Sequence, residues 1–417
     1  MKSVAALALS TATLVLLWYL FWQPELPTAR APSPATADGD YPLRDWSAER
    51  REKLNISLFT FNDRNRNGRY DVGDSPQASI VVRVTRPDGS VVTARSNING
   101  YANFGMLSGQ AEADISQADA DYYFAVSVPP QWQLSTANAE QVIHFSALPG
   151  SPSGLMTESP PAVVGLMPRL AITGRVIGIG GRQPQVSATA PDGERRAVVL
   201  GDDNTFSFEG EPGDWLLTAT DIDSGVSRQR PFSVANAPVQ LSAMDLVQPT
   251  LDPLVFPVVE DFEGLQRSVL EKLPGGRSGL GWDFLIAADN QFYGGPGYAN
   301  GLRSGKMVGY NSSGHPVTIT PDVGDERFDF VGAYFLAAWP SAHGEQLLVQ
   351  AWRDGELVGQ EEISLSYLGP VWFQADYHRI DRLTLSSAHY WQFVTEDMAF
   401  RVARAPEEGM PGQSVAN

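Results

Sequence analysis

The stretch that decides the fold is Ile56-Ser-Leu-Phe-Thr-Phe61, followed by Asp63-Arg-Asn-Arg-Asn-Gly-Arg-Tyr-Asp-Val-Gly-Asp74 and then Ile80-Val-Val-Arg-Val84. Oxygen-bearing side chains fall at loop positions one, three, five, nine and twelve: Asp63, Asn65, Asn67, Asp71 and Asp74. Position six is Gly68, which permits the sharp turn that aims ligands inward, and Arg69 at position seven offers its carbonyl. By this spacing about 12 residues wrap a hard cation with six or more oxygens, so the loop is expected to bind Ca2+. The alternative is an Asn/Asp-rich turn closed by its own side chains. Asp74 stands where a bidentate glutamate is usual, and its shorter reach, with Arg64, Arg66 and Arg69 nearby, predicts modest affinity. The arginines fall mostly between the ligands and are expected to face solvent.

Short strands with regular turn signals continue outward from the loop. Pro87-Asp88-Gly89 is a turn, Val91 to Ala94 a strand, and Asn99-Gly-Tyr-Ala-Asn-Phe104 a turn feeding a strand. An alternating run from Tyr122 to Val128 precedes Pro129-Pro130. This grammar predicts a β-sandwich. The order of strand, Asx loop, strand, G-Y-x-x-F and Y-x-x-x-V-x-x-P over residues 54–150 resembles the calcium-binding B-type repeat of bacterial surface adhesins. The resemblance implies a rigid spacer, with Asp63, Asn65, Asn67, Arg69 through its backbone, Asp71 and Asp74 as the ligands.

A second sandwich is expected over residues 166–250. Ile172-Thr-Gly-Arg-Val176 opens it, Asp202-Asp-Asn-Thr-Phe-Ser-Phe208 is a turn and strand, and Pro212-Gly-Asp-Trp-Leu-Leu-Thr-Ala219 is another. The pattern over 170–247 resembles the transthyretin-like, carboxypeptidase-regulatory-like sandwiches appended to exported proteins. Phe206, Phe208, Trp215 and Leu217 are expected to face its core. Asp202, Asp203, Asp221 and Asp223 are read as solvated turn residues rather than cation ligands.

The region 251–403 is expected to be the working head. It opens on Phe256-Pro-Val-Val-Glu-Asp-Phe-Glu-Gly-Leu265 and ends on Phe393-Val-Thr-Glu-Asp-Met-Ala-Phe400. Over 255–402 it resembles jelly-roll domains of bacterial exported proteins that are akin to carbohydrate-binding modules. In that pattern the first-strand D-F-E and last-strand D-D-hydrophobic-x-F lie side by side and hold a structural calcium. The resemblance implies Glu263 and Asp397 as ligands, with Asp261 and Glu396 as secondary candidates. Two carboxylates on adjoining strands repel unless a cation or proton sits between them. The alternative is an exposed acidic pair on edge strands. For a sugar, the segment Asp289 to Asn300 combines aromatics, amides and glycines as a binding loop does. Trp282, Tyr293, Tyr298 and Asn300 are the expected ligand-binding residues; otherwise the loop packs its own aromatics on the sandwich.

Lys2 precedes an uncharged run, residues 3–22, long enough to span a bilayer, with Trp18, Tyr19 and Trp22 at its far end. An uncleaved inner-membrane anchor is expected, with residues 23–417 exported to the periplasm or cell surface; Thr28-Ala-Arg-Ala31 is the alternative, a signal-peptide cleavage site. Residues 23–50 read as a Pro-rich tether and 404–417 as a disordered tail. The net charge of −18, without a basic run, argues against a nucleic-acid partner. There is no cysteine, so neither disulfides nor a thiol nucleophile enter. No Gly-x-Ser-x-Gly or phosphate loop occurs, and the histidines are isolated; Asp283 with Asp289 and Asp376 with Asp381 are the acidic pairs a glycosidase would require at a set separation. The expectation is an all-β, tandem-sandwich, non-enzymatic surface protein whose head recognises envelope or extracellular glycan. The alternative is a structural protein docking to a surface protein partner. An exposed aromatic platform favours the first and a broad apolar patch the second.

Overall fold

The structure is a computed structural model that describes residues 55–105, 119–147, 149, 155–180, 182–265, 268–324 and 326–404. The anchor expected at 3–22, the tether at 23–50 and the tail beyond Arg404 lie outside the described residues. The described chain is all-β: beyond strands it holds one short helix, Pro296–Gly301, and brief 3-10 turns. Among the described residues no helix is long and apolar enough to cross a membrane.

In the first sandwich the strand Asn55–Asn62 pairs antiparallel with Tyr101–Gly105 and parallel with Val164–Pro168. The facing sheet runs Val91–Arg95, Val81–Thr85, Ala120–Ser127, Glu140–Ala147. Alternation drives the packing: Ala120, Tyr122, Phe124 and Val126 point inward from one strand and meet Leu58, Val84, Phe104 and Leu166. The return of Val164–Pro168 to the first strand closes this unit three residues beyond the expected boundary of 165.

The middle sandwich packs Ala171–Ile177 and Thr205–Glu209 against Gln185–Thr189, Gly213–Thr220 and Ser227–Val234. Phe206, Trp215 and Leu217 are buried and Phe208 packs half-buried beside them, as the alternation predicts. The four aspartates serve turns. Asp221 accepts from Ser224 N–H and hydroxyl and from the amides of Ile179 and Gly180, and these bonds, led by Ser224, hold its carboxyl down to about 2.

The head is a two-sheet antiparallel sandwich. One sheet runs Leu280–Asp283, Val317–Pro321, Arg382–Ser387, Gln346–Arg353, Glu356–Ser364. The other contains Val371–Ile380, Phe328–Ala337, Phe393–Val402, Met307–Asn311 and Leu285–Asp289, with Phe256–Glu260 added on Phe393–Val402. From Val317 onward the chain crosses between sheets at nearly every connection, and Phe328, Phe330, Phe335, Phe373 and Phe400 fill the space between.

The three units are not beads on a string. Val239–Leu241 of the middle sandwich pairs parallel with the head strand Val371–Ile380, Val239 opposite Trp372 and Leu241 opposite Gln374. One sheet of 11 strands therefore runs through both. Trp372 packs on the middle core, and Leu368 of the head lies inside the core of the first sandwich with Trp132. Asn236 Nδ2 donates to Asn62 Oδ1 at 3.1 Å, joining the middle unit to the first. The described residues thus form one compact unit. The spacer-and-head picture changes accordingly: the first two sandwiches form the walls against which the head is set.

Candidate functional site

The loop 63–74 closes around its own carboxylates. Asp63 is fully buried and accepts from Asn67 N–H at 3.2 Å and Gly68 N–H at 2.7 Å. Gly68 adopts φ 76°, and an added Cβ would lie 3.0 Å from the Ser135 carbonyl, so glycine is required twice over. Asp74 accepts from Arg64 N–H at 2.9 Å and Asp71 N–H at 3.0 Å. Asn65 and Asn67 turn their Nδ2 groups to Asp71 at 2.8 and 2.7 Å. Among the described residues no three acidic or histidine side chains converge as a metal-binding group. The donor set still suits a hard cation: three carboxylates with free lone pairs, and two amides that present oxygen once rotated.

Arg64 and Arg66 do not face solvent as expected. The Arg64 guanidinium enters the head, donating to Leu302 O and, at 2.8 Å, to Arg303 O, and burial together with the Arg303 charge lowers its pKa to about 10. Arg66 donates to Pro168 O at 2.9 Å. Among the loop arginines only Arg69 is exposed. The ligand-like loop is thus also the joint between the first sandwich and the head.

The acidic corner of the head is built differently. Glu260, on the first strand and 1% exposed, receives Arg277 in a bidentate pair, Nε at 2.6 Å and Nη2 at 2.7 Å, with the Ser278 hydroxyl at 3.0 Å. Arg277 also lies 3.8 Å from Asp261. Glu263 Oε1 is taken by the amides of Lys306 and Met307, both at 2.6 Å. Glu396 is fully buried, accepts from the amides of Arg303 and Ser304, and is raised to about 8 by burial and by neighbouring Asp397. Asp397 adopts φ 48° at a register shift in the ladder, half-exposed, where its charge feels Arg303 and Asp261. Glu263 and Asp397, the two carboxylates expected to share a calcium, thus have different surroundings: backbone amides bond Glu263, and Asp397 sits in the bulge. A guanidinium from Arg277 supplies the positive charge at the first strand, and backbone amides supply the rest. The sequence left Glu260 unremarked, because its partner lies 17 residues away in a turn with no motif.

Three of the four expected sugar-binding residues are packing residues. Trp282 is buried edge-on against Phe400 and donates from Nε1 to Arg277 O at 3.0 Å. Tyr298 is fully buried in a second apolar cluster on the outer face of the head sheet, with Tyr310, Leu336 and Val394. Asn300 is 5% exposed and clasps the first sandwich: Oδ1 accepts from Ala78 N–H at 2.9 Å, while Nδ2 donates to Ala78 O and Tyr367 O. Tyr293 is half-buried, its hydroxyl 3.0 Å from that of Tyr310. The loop lies down on the sheet because the outer face beneath it is itself apolar.

Phe292 of this segment is 46% exposed, and a further exposed aromatic group lies elsewhere on the head. At the end where Leu285–Asp289, Val317–Pro321 and Phe393–Val402 begin, Phe284 is 50% exposed, Tyr390 71% and Trp391 37%. Phe284 packs on the His315 ring at 4.8 Å, and Asn311 Nδ2 holds the Trp391 carbonyl at 3.3 Å. The acidic pair Asp376 and Asp381 takes separate partners. Asp376 is bound by Arg230 at 2.7 Å and His378 at 2.9 Å, whereas Asp381 accepts from Asp354 N–H at 2.5 Å. His378 sits between Asp329 and Asp376, and their carboxylates raise its pKa to about 9.

No protein-family model matches the chain, and no curated protein sequence matches it. Solved structures align only loosely. The shaft pilin SpaA from Lactobacillus rhamnosus GG is 10% identical over 46% of this chain and 95% of that one, with a TM-score of 0.20. BcpA, the major pilin subunit of Bacillus cereus, is 10% identical over 79% of this chain and 100% of that one, TM-score 0.20. The catalytic domain of Clostridium perfringens ZmpB with its two CBM51 domains is 11% identical over 84% of this chain and 31% of that one, TM-score 0.23. Scores this low do not define a shared overall fold, and no partner follows from them.

Proposed function

We propose that this chain is an exported bacterial surface protein whose head binds glycan and whose 63–74 loop binds calcium at the joint with the head. The observation that carries the glycan reading is the exposed group Phe284, Tyr390 and Trp391 at one end of the head. An indole or phenol ring open to water stacks on the apolar face of a pyranose, and these three rings share one end of the head. Residues 3–22 would hold the protein at the inner membrane, and calcium, abundant outside the cell, would replace the Asn-to-Asp71 bonds by drawing both amide oxygens inward. The test is an array of envelope and extracellular oligosaccharides probed with residues 51–417 in calcium. Binding that falls by about tenfold or more in Trp391→Ala, with an unchanged melting curve, supports the reading. No binding on any glycan sinks it.

A second reading, docking to a surface protein, draws on one feature. Val91, Tyr123 and Val142 are exposed in a single cross-strand row of the first sandwich, aligned through Thr85. Replacing Tyr123 and Val142 by serine abolishes co-purification of an envelope protein if this row is the docking face.

A further inference from the structure

The head and the middle sandwich border an open cleft of about 770 Å³, within the range of small-ligand sites. We propose that this cleft binds a neutral saccharide unit, a second contact separate from the aromatic end of the head. This inference rests on the glycan reading above.

The cleft follows from the fusion of the two sandwiches. Because Val239–Leu241 joins the head sheet beside Val371–Ile380, the outer face of that sheet is brought against the edge of the middle sandwich instead of open water. Its apolar wall is Tyr334 and Trp372, both half-exposed, with ring centroids 4.8 Å apart and planes at 58°. Both rings are held in place. The Arg303 guanidinium lies 4.7 Å over Tyr334, and Trp372 Nε1 donates to Gln374 Oε1 at 2.9 Å. That bond uses only the amide oxygen of Gln374, so its two N–H groups remain donors.

Acceptors face the same space. The bulge at Asp397 turns that side chain out of strand alternation and into the cleft. Among the described residues no hydrogen bond or ion pair engages its carboxylate. A left-handed aspartate inside a central strand costs backbone energy, and such strain concentrates where a side chain must be aimed. From the opposite wall Asp214 contributes a carboxylate steadied by the Ser233 hydroxyl at 2.6 Å. The part-exposed Trp372 ring with the rim of Tyr334, an amide donor and two carboxylate acceptors match a ring with one apolar face and a rim of hydroxyls. A cationic ligand fits less well, because Arg303 already occupies the cation position over Tyr334 and offsets the charge of Asp397.

The test uses residues 51–417, oligosaccharides that score on the array, calorimetric titration, and indole fluorescence as the reporter of Trp372. Asp397→Asn, Gln374→Ala and Tyr334→Leu are each expected to weaken binding by about tenfold or more, and Trp391→Ala to weaken it independently. The melting temperature of each variant separates a lost contact from a lost fold, and Gln374→Ala, which removes no core atom, serves where Tyr334→Leu is unstable. If Trp391→Ala weakens binding while the three cleft variants leave it unchanged, the cleft proposal is overturned and the glycan reading stands. If no oligosaccharide binds the wild type, both fall. Competition by arginine or polylysine in the absence of any saccharide effect on the indole signal would also overturn it, as the mark of a cation site.

Discussion

The loop 63–74 and the acidic corner around Glu260 begin from the same chemistry and end differently. Each gathers carboxylates that repel one another without positive charge. In the loop, the neutralising groups are local: amides of Asn67, Gly68, Arg64 and Asp71, all within the same turn. In the corner they come from a distance: the Arg277 guanidinium on Glu260, and the amides of residues 303–307 on Glu263 and Glu396. A local arrangement leaves lone pairs aimed inward that a metal can use. A guanidinium already docked in bidentate geometry removes the need for one.

Arg277→Met breaks this contrast most severely. It leaves Glu260 buried and uncompensated, and unfolding free energy should fall by about 3–5 kcal/mol, measured by denaturant titration. Calcium should not restore it; rescue by calcium would show that the corner is a metal site after all. Next, calcium at about 100 times its Kd should stabilise the wild type by about 2.7 kcal/mol, read as a rise in melting temperature that EDTA reverses. Asp71→Ala should abolish that rise while leaving the metal-free melt nearly unchanged. A smaller effect belongs to the joint beside the loop: Asn300→Ala strands the Ala78 amide and carbonyl and should cost about 1–3 kcal/mol without affecting calcium affinity.

The smallest expected effect is a pH slope at the other joint, where Arg230, Asp376, His378 and Asp329 link the middle sandwich and head. The folded pKa of His378 is raised to about 9, so its contribution is complete below its unfolded value of about 6.5 and is lost as pH rises through about 9. Asp329 and Asp376 are held below the ordinary carboxylate range despite burial, chiefly by His378 and, for Asp376, Arg230. They stabilise above about 3.8 and lose this as pH falls. His378→Gln should flatten the alkaline limb between about 6.5 and 9, lowering the melting temperature by about 2 °C at pH 6 and by less at pH 9.5. An unchanged pH profile would show that the joint is held without the charged histidine.

Strand identity was legible wherever one face is buried. Ala120 to Val126 and Phe206 with Trp215 and Leu217 alternate because the sandwich interior accepts every second side chain. The closed turn at 63–74 was legible because its partners are all within the turn. The packing of Asn300, Tyr298 and Trp282 was not legible, because an amide and rings beside glycines look alike whether they meet a ligand or a neighbouring domain. The burial of Arg64 was hidden for the same reason, its acceptors lying 238 and 239 residues away.

The sequence by itself determined an all-β chain and a closed Asx turn at 63–74, because alternation and turn chemistry act over a few residues. Only the tertiary structure decided that the sandwiches form one body, that Arg277 neutralises the buried Glu260, and that a cleft opens between Trp372 and Asp214. Those outcomes depend on the three-residue strand Val239–Leu241, too short to carry a period, and on side chains whose partners lie in other units. Distance along the chain hides such pairs, and folding brings them together.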